Sequence, residues 1–432
     1  MRILFSTTGT NALGESYTAA CFAQQLIKSG HECFFIAPKL GSEYIKTFGF
    51  QENNIATFSS RKEGDITFRM EDNYQDFKNF INKISPEVVL VGDWHHFQEN
   101  GNAPNDAYSL YWFDDKIKIG TFDHIGFTPN GKMTLMLHKD GEFSKKKFIE
   151  LSDRYSFVIR PCPHHSNIKL KHKNTFYWSV FTEKIQPKIE IKKSLLRGYD
   201  ADGSLIIFHP IGFWQHRIIQ KVFENKKISG DYYFDMMLPL IFDYLSEISI
   251  KVTYIIVSGE TKTEIRRVHK NINIVIKPPL KHELFMDYLE ASDVFITDNI
   301  MSSNLGKAVF ANKIPIVYKN SLDLRKHPSE SSQVLSAIRE RISPLINEGL
   351  IFPCLSFPIG FVELGEMYQN NQFSTTFIQQ EIYNKEDNVQ LFNKIVTNKE
   401  YKDSLISYQN EYIERNGKLI SAEGILLEAY ES

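Results

Sequence analysis

Apolar residues recur along the chain in two rhythms. Short, nearly continuous apolar runs predict strands at Arg2–Ser6, Glu32–Ala37, Val88–Gly92, Lys118–Asp123 and Phe157–Pro161. Between the first two, Ala19, Ala20, Phe22, Ala23 and Leu26 sit at helical spacing within Glu15–Ser29, and Gly30 stands where a left-handed cap ends a helix. A polar, lysine-bearing stretch at Gln186–Gly203 reads as a linker. A second cycle of strands follows at Leu205–Phe208, Val252–Val257, Ile272–Ile276, Val294–Thr297 and Ile314–Tyr318. Helices lie between these strands, with short ones at Met286–Ala291 and Gly306–Ala311. The tail, Asn388–Tyr430, is helical, with Leu391, Phe392, Ile395 and Val396 on one face. Near-continuous apolar strands alternating with helices predict parallel sheets covered on both faces. The expected fold class is therefore α/β: two Rossmann-like doubly wound domains facing each other across a cleft. The boundaries expected are 1–190 for the first domain, 191–405 for the second, and 406–432 for helices packing back on them.

Composition narrows the function classes. The 432 residues are 42% hydrophobic and 24% charged, enough to build real cores. Fifty basic side chains against 52 acidic ones leave a formal charge of −2, too little to draw nucleic acid or anionic lipid. The four cysteines, Cys21, Cys33, Cys162 and Cys354, are too few and too scattered for a disulfide scaffold or a paired zinc site. No apolar run approaches the roughly 18 residues of a membrane span. The opening Met-Arg-Ile-Leu-Phe-Ser reads as a strand rather than a leader, so a cytoplasmic protein is expected. The 33 Phe and 20 Tyr offer stacking surfaces as well as core.

Ligands of open parallel sheets bind beyond the carboxyl ends of the strands, so the residues after each strand carry the chemistry. After the first strand, Gly9, Gly14 and Ser16 mimic a phosphate loop, but Glu15 occupies the lysine position and would repel phosphate. Glu15 is instead a helix-start residue stabilised by the dipole, or a general base. Three further strand ends run into Asp93-Trp94-His95-His96, Asp123-His124, and Pro161-Cys162-Pro163-His164-His165. Imidazole beside carboxylate suits proton transfer near neutral pH. Zinc is disfavoured, because adjacent histidines point apart and none has the i, i+4 spacing of a helical site. In the second half, His209 to His216 brings Gly212, Phe213 and Trp214 to a strand end, and Lys277-Pro278-Pro279 ends another. Ser302, Ser303 and Asn304 precede a helix, an arrangement that binds phosphate. A Walker reading of Gly306-Lys307 fails, since Met301 and Ala308 replace required residues.

This organisation resembles the GT-B glycosyltransferases, whose first domain holds an acceptor and whose second holds a nucleotide-sugar. The most specific stretch is Lys277 to Tyr318, where the family reads W-x-P-Q, then F-x-x-H-x-G-x-x-S, then E-x-x-x-x-G-x-P. Pro279, Ser302, Ser303 and Pro315 correspond. Asp298 replaces the family histidine, the ribose-binding acid falls near Ala308, and Lys313 replaces a glycine. The resemblance implies transfer of a sugar from a nucleoside-diphosphate sugar, such as a UDP-sugar, to a small-molecule or other soluble acceptor. It implies no metal and no cofactor beyond the nucleotide-sugar co-substrate. It further implies a catalytic base at Glu15, with Asp123, His124 and Asp93 as further catalytic candidates. Gly14, Trp94 and His95 would then contact the acceptor, and Gly212, Trp214, Lys277, Ser302, Ser303 and Asn304 the donor. A nucleotide-sugar epimerase or hydrolase would use the same phosphate site. A non-catalytic partner of a true transferase is the third reading.

Overall fold

The computed structural model describes residues 1–9, 13–60, 69–97, 107–124, 126, 132–136, 143–147, 151–162, 174–181, 185, 197–199, 201, 203–325, 336, 338–360, 368–369 and 371–431. The chain divides into two compact units. One comprises Met1–Lys132, Lys147–Thr182 and Asn416–Ser432, and the other Met133–Lys146 and Glu183–Arg415.

The first unit is built on β1 (Arg2–Ser6), β2 (Glu32–Ile36), β3 (Ile55–Ala56), β4 (Val88–Val91), β5 (Lys118–Phe122), β8 (Tyr155–Cys162) and β9 (Thr175–Ser179). The seven strands pair in the order β3-β2-β1-β4-β5-β8-β9. Every pairing is parallel, with Arg2 opposite Glu32 and Ile3 opposite Val88. Its helices are α1 (Gly14–Lys28), α2 (Lys39–Lys46) and α3 (Tyr74–Ile84). α1 ends as its spacing predicts: Gly30 has φ +84°, and the His31 amide returns to the Leu26 carbonyl at 3.1 Å. Phe22 on α1 wedges between Phe122 and Trp178, with ring centroids 5.5 and 4.8 Å away.

The second unit holds β10 (Leu205–Pro210), β11 (Val252–Val257), β12 (Ile265–His269), β13 (Ile272–Lys277), β14 (Val294–Thr297), β15 (Ile314–Lys319) and β18 (Ile378–Glu381). These pair in the order β12-β13-β11-β10-β14-β15-β18. All neighbours are parallel except β12 and β13. The periodicity misses β12, because four of its five side chains are exposed, Val268 by 76%, and no apolar face marks it. Its helices are α4 (Phe213–Lys226), α5 (Leu238–Leu245), α6 (His282–Ala291), α7 (Ser303–Phe310), α8 (Arg339–Asn347), α9 (Lys385–Thr397) and α10 (Lys399–Asn416). A small sheet, also missed by the periodicity, orders β16 (Cys354–Ser356), β17 (Ile359–Gly360), β6 (Lys132–Met136) and β7 (Phe143–Lys147). The last helix, α11 (Ala422–Glu431), returns to the first unit, where Ile425 and Leu426 enter the core with Phe22 and Leu26. No helix among the described residues is long and apolar enough to cross a membrane.

Each main sheet therefore has the doubly wound α/β organisation that the periodicity predicts. Each also has a point where chain order reverses, between β1 and β4 in one and between β10 and β14 in the other. Crevices at such points are where open sheets bind ligands.

Candidate functional site

In the first unit, the ends of β1 and β4 bring an acid and an imidazole together. Glu15 stands in the first turn of α1, where the helix dipole favours a negative charge. One carboxylate oxygen, Oε1, lies 2.8 Å from His96 Nδ1, and the other accepts the Thr8 backbone N–H at 3.0 Å. Thr8 Oγ1 also sits 2.5 Å from His96 Nδ1. The approach depends on Gly92: a Cβ there would lie 2.7 Å from Glu15 Oε2 and 3.2 Å from the Ser6 carbonyl. Burial works against the Glu15 charge, but the charge and hydrogen bond of His96 hold its carboxyl below the ordinary value. An ionised Glu15 favours a proton on the ring nitrogen that faces it, Nδ1.

Beside this pair stands a second carboxylate–imidazole group. Asp93 Oδ1 lies 3.0 Å from His95 Nδ1, and Oδ2 lies 3.5 Å from His124 Nδ1. His124 Nε2 contacts Thr18 Oγ1 at 2.9 Å. Burial opposes ionisation of Asp93, yet the charges of His95 and His124 hold it well below the usual carboxylate range. Burial likewise lowers both histidines, but Asp93 outweighs it and raises them. Asp123, also buried, accepts the Trp94 indole N–H at 3.3 Å and faces Arg160 at 3.4 Å. Glu15, Asp93, Trp94, His95, Asp123 and His124 thus share one sheet edge, with Gly14 opening α1 beside them.

The residue that the sequence reading left without a role is His96. It stood inside a quoted His-His pair, and the signal that could have found it is Gly92, a small residue that gives space at the end of β4. Loop residues 10–12, His164 and His165, and 186–196 of the expected linker lie outside the described residues, as do Asp200 and Asp202, which have Asp-x-Asp spacing. Among the described residues, no group of three or more His, Cys, Asp or Glu side chains could hold a metal ion.

In the second unit, the switch point between β10 and β14 faces the start of α7. Ser302 caps this helix, its hydroxyl accepting the Asn304 N–H at 3.3 Å. Ser303 opens the helix, and Asn304 Oδ1 accepts from Lys307 Nζ at 3.2 Å. Lys307 is 3% exposed and lies over the Phe285 ring at 5.4 Å. Burial, helped by the Lys307 charge, pushes His282 down to about 4. Hydroxyls at a helix start with an ammonium near them are the kinds of group that can hold a phosphate. Gly212 caps α4 nearby in the chain, and Trp214 on that helix is half-buried.

Lys277 stands elsewhere. Its strand is three places from β14 in the sheet, about 14 Å at ordinary strand spacing. Its ammonium is held 2.5 Å from Glu264 and lies over the Tyr199 and Tyr288 rings at 5.7 and 5.0 Å. His209, at the end of β10, is fully buried against the Tyr254 hydroxyl at 2.8 Å, and burial pushes it down to about 3. It is neutral at physiological pH.

Comparison with known proteins gives the fold a class. The chain aligns over its full length with the rhamnosyltransferase SpnG of spinosyn complexed with thymidine diphosphate, at TM-score 0.52, 9% identity and 100% of that chain. The spinosyn forosaminyltransferase SpnP aligns at TM-score 0.52 and 10% identity, over all of this chain and 98% of that one. A UDP-GlcNAc 2-epimerase from Neisseria meningitidis bound to UDP-GlcNAc aligns at TM-score 0.50 and 11% identity, over all of both chains. At such identities the likeness establishes the fold, which is GT-B. No curated protein matches the sequence. The model of a family described as "Family of unknown function (DUF6365)" matches residues 22–432.

Proposed function

This chain belongs to the DUF6365 family of unknown function, and we propose that it is a metal-independent glycosyltransferase with His96 as its general base. The observation that carries the reading is the Glu15–His96 pair at the switch point of the first sheet. Transfer to a hydroxyl needs one group that takes the hydroxyl proton as the new glycosidic bond forms. His96 Nε2 is suited to that step. Glu15 holds the ring by Nδ1–H and stabilises the imidazolium that results, so it acts through His96 rather than directly. The leaving nucleoside diphosphate is stabilised by the start of α7, the Ser302 and Ser303 hydroxyls, Asn304 and the Lys307 ammonium, which together suit a diphosphate. Thymidine diphosphate on SpnG and UDP-GlcNAc on the epimerase support a nucleotide-sugar as the co-substrate here.

One observation favours a second reading, a nucleotide-sugar epimerase. The Asp93 group beside the Glu15–His96 pair offers a second proton-transfer centre, which epimerisation uses and glycosyl transfer does not require. The test of both is a thermal-shift panel of nucleoside diphosphates and nucleotide-sugars, followed by product analysis of any that bind. At about 100 times its dissociation constant a ligand adds about 2.7 kcal/mol of stability. Consumption of a nucleotide-sugar with free nucleoside diphosphate as product supports transfer, and an isomeric nucleotide-sugar supports epimerisation. No shift with any nucleotide would leave the non-catalytic partner as the better account.

A further inference from the structure

The second unit contains a pocket that neither the base nor the phosphate cradle uses. It lies beneath the ends of β14 and β15 and opens to solvent, and its closed part has room for a group about the size of one water molecule, such as an ammonium head. Five of its lining residues are aromatic, Tyr232, Tyr318, Phe352, Phe357 and Tyr383, with the Tyr232 and Phe357 rings stacked at 4.9 Å, and Lys319 also lines it, its ammonium paired with Glu381. One carboxylate, Asp298, stands in that wall.

Asp298 is buried and holds two hydrogen bonds on Oδ2, from the Tyr233 hydroxyl at 2.9 Å and the Gln215 amide at 3.2 Å. Neither donor is charged. The cations nearby already have carboxylates of their own. Lys319 lies 3.3 Å from Glu381, Arg325 lies 2.7 Å from Asp323, and His216 lies 2.6 Å from Asp231. Among the described residues Asp298 has no ion-pair partner, and the buried Tyr318 hydroxyl on the same wall has no hydrogen-bond partner.

Burial pushes the Asp298 carboxyl up to about 6, against the Tyr233 hydrogen bond and the more distant His216 charge, which hold it down. A carboxylate walled by aromatic faces is the chemistry that holds organic cations. The phenol oxygen of Tyr318 adds an acceptor for an N–H.

We propose that this pocket binds a protonated amine, with Asp298 as its counter-ion and Tyr318 as a hydrogen-bond acceptor. The amine comes from a free small molecule or from the sugar of an amino-sugar nucleotide. The second source rests on the function proposed above and the first does not.

The experiment titrates the full chain at pH 7.5 with methylammonium chloride against matched sodium chloride, read by thermal shift and calorimetry, on wild type, Asp298→Asn and Tyr318→Phe. The expected result is saturable binding of methylammonium by wild type, weakened at least tenfold in Asp298→Asn and several-fold in Tyr318→Phe. Tyr318→Phe keeps the ring and the carboxylate, so it remains informative if Asp298→Asn folds poorly. No saturable binding, or equal binding by wild type and both variants, overturns the proposal. A further arm compares a UDP-sugar bearing a free amine with its hydroxyl counterpart. A preference of tenfold or more that disappears in Asp298→Asn assigns the amine to the donor, and no preference beside methylammonium binding assigns it to a free amine. Nucleotide binding without methylammonium binding rejects the pocket and leaves the transferase reading standing.

Discussion

The Glu15 carboxylate meets the His96 imidazole at 2.8 Å, joining the start of α1 to the turn after β4. This contact makes the carboxylate and the imidazole one hydrogen-bonded unit. Glu15 has both oxygens occupied, one by His96 and one by the Thr8 amide, so in the proposed reaction the proton taken from an acceptor goes to the ring.

His96→Gln is expected to lower turnover on the order of 100-fold or more, the range of general-base contributions, with nucleotide affinity unchanged. Glu15→Gln keeps the shape but removes the charge behind the ring, and a loss of at least tenfold is expected. Steady-state turnover and calorimetry on the two variants check this. A larger loss in Glu15→Gln than in His96→Gln would return the role of base to the carboxylate.

Gly92→Ala places a methyl 2.7 Å from Glu15 Oε2 and 3.2 Å from the Ser6 carbonyl. The carboxylate must move, and overpacking of this kind costs about 1–3 kcal/mol. Urea unfolding should show that loss together with reduced turnover. Gly14→Ala, where an added Cβ meets nothing within 4 Å, is the control expected to keep full stability.

The stability of the first unit should depend on pH through Asp93. Its carboxyl is lowered in the folded state, so its contribution is complete above the ordinary value of about 4 and is lost as pH falls through the folded value. His95 and His124 are raised, so theirs is complete below about pH 6.5 and is lost as pH rises through their folded values. Melting temperature should therefore decline on the alkaline side of about pH 6.5, and Asp93→Asn should flatten that decline. Equal slopes in the two proteins would mean that Asp93 does not hold the imidazolium charges.

The Ser302→Ala, Ser303→Ala double variant should weaken nucleoside-diphosphate binding at least tenfold. Because Ser302 caps α7, it should also cost about 1 kcal/mol of stability. Lys307→Met should weaken binding as strongly, while Lys277→Met, whose ammonium is tied to Glu264, should leave affinity near wild type. Titration calorimetry distinguishes these outcomes.

Much of the scaffold is legible in the sequence because parallel strands buried on both faces leave continuous apolar runs, as at Val252–Val257 and Val294–Thr297. The edge strand Ile265–His269 leaves no such run, and the small sheet at Cys354–Gly360 is too short to show a period. At the candidate site, the strand-end clusters carrying Asp93 and Asp123 are visible as polar residues after apolar ones. The partner each side chain takes is not, because it depends on contacts distant in sequence. Glu15 reads as a base, and the His96 ring that stands against it is not legible from that reading. Lys277 reads as a donor contact, and the ion pair it makes with Glu264, just ahead of the antiparallel edge strand, is not legible in the sequence. Lys307 is the reverse case: it lies in a failed Walker pattern, yet from the last turn of α7 its ammonium reaches back to Asn304 near the start of the helix.

The most direct test of the central claim follows the fate of nucleotide-sugars by mass spectrometry, with wild type and His96→Gln side by side and nucleoside-diphosphate affinity measured on both. The account predicts that wild type consumes at least one nucleotide-sugar, releasing nucleoside diphosphate, while His96→Gln binds the nucleotide equally and turns over at least 100-fold more slowly. Equal consumption by both proteins, or no nucleotide-sugar bound or consumed by wild type, would contradict it.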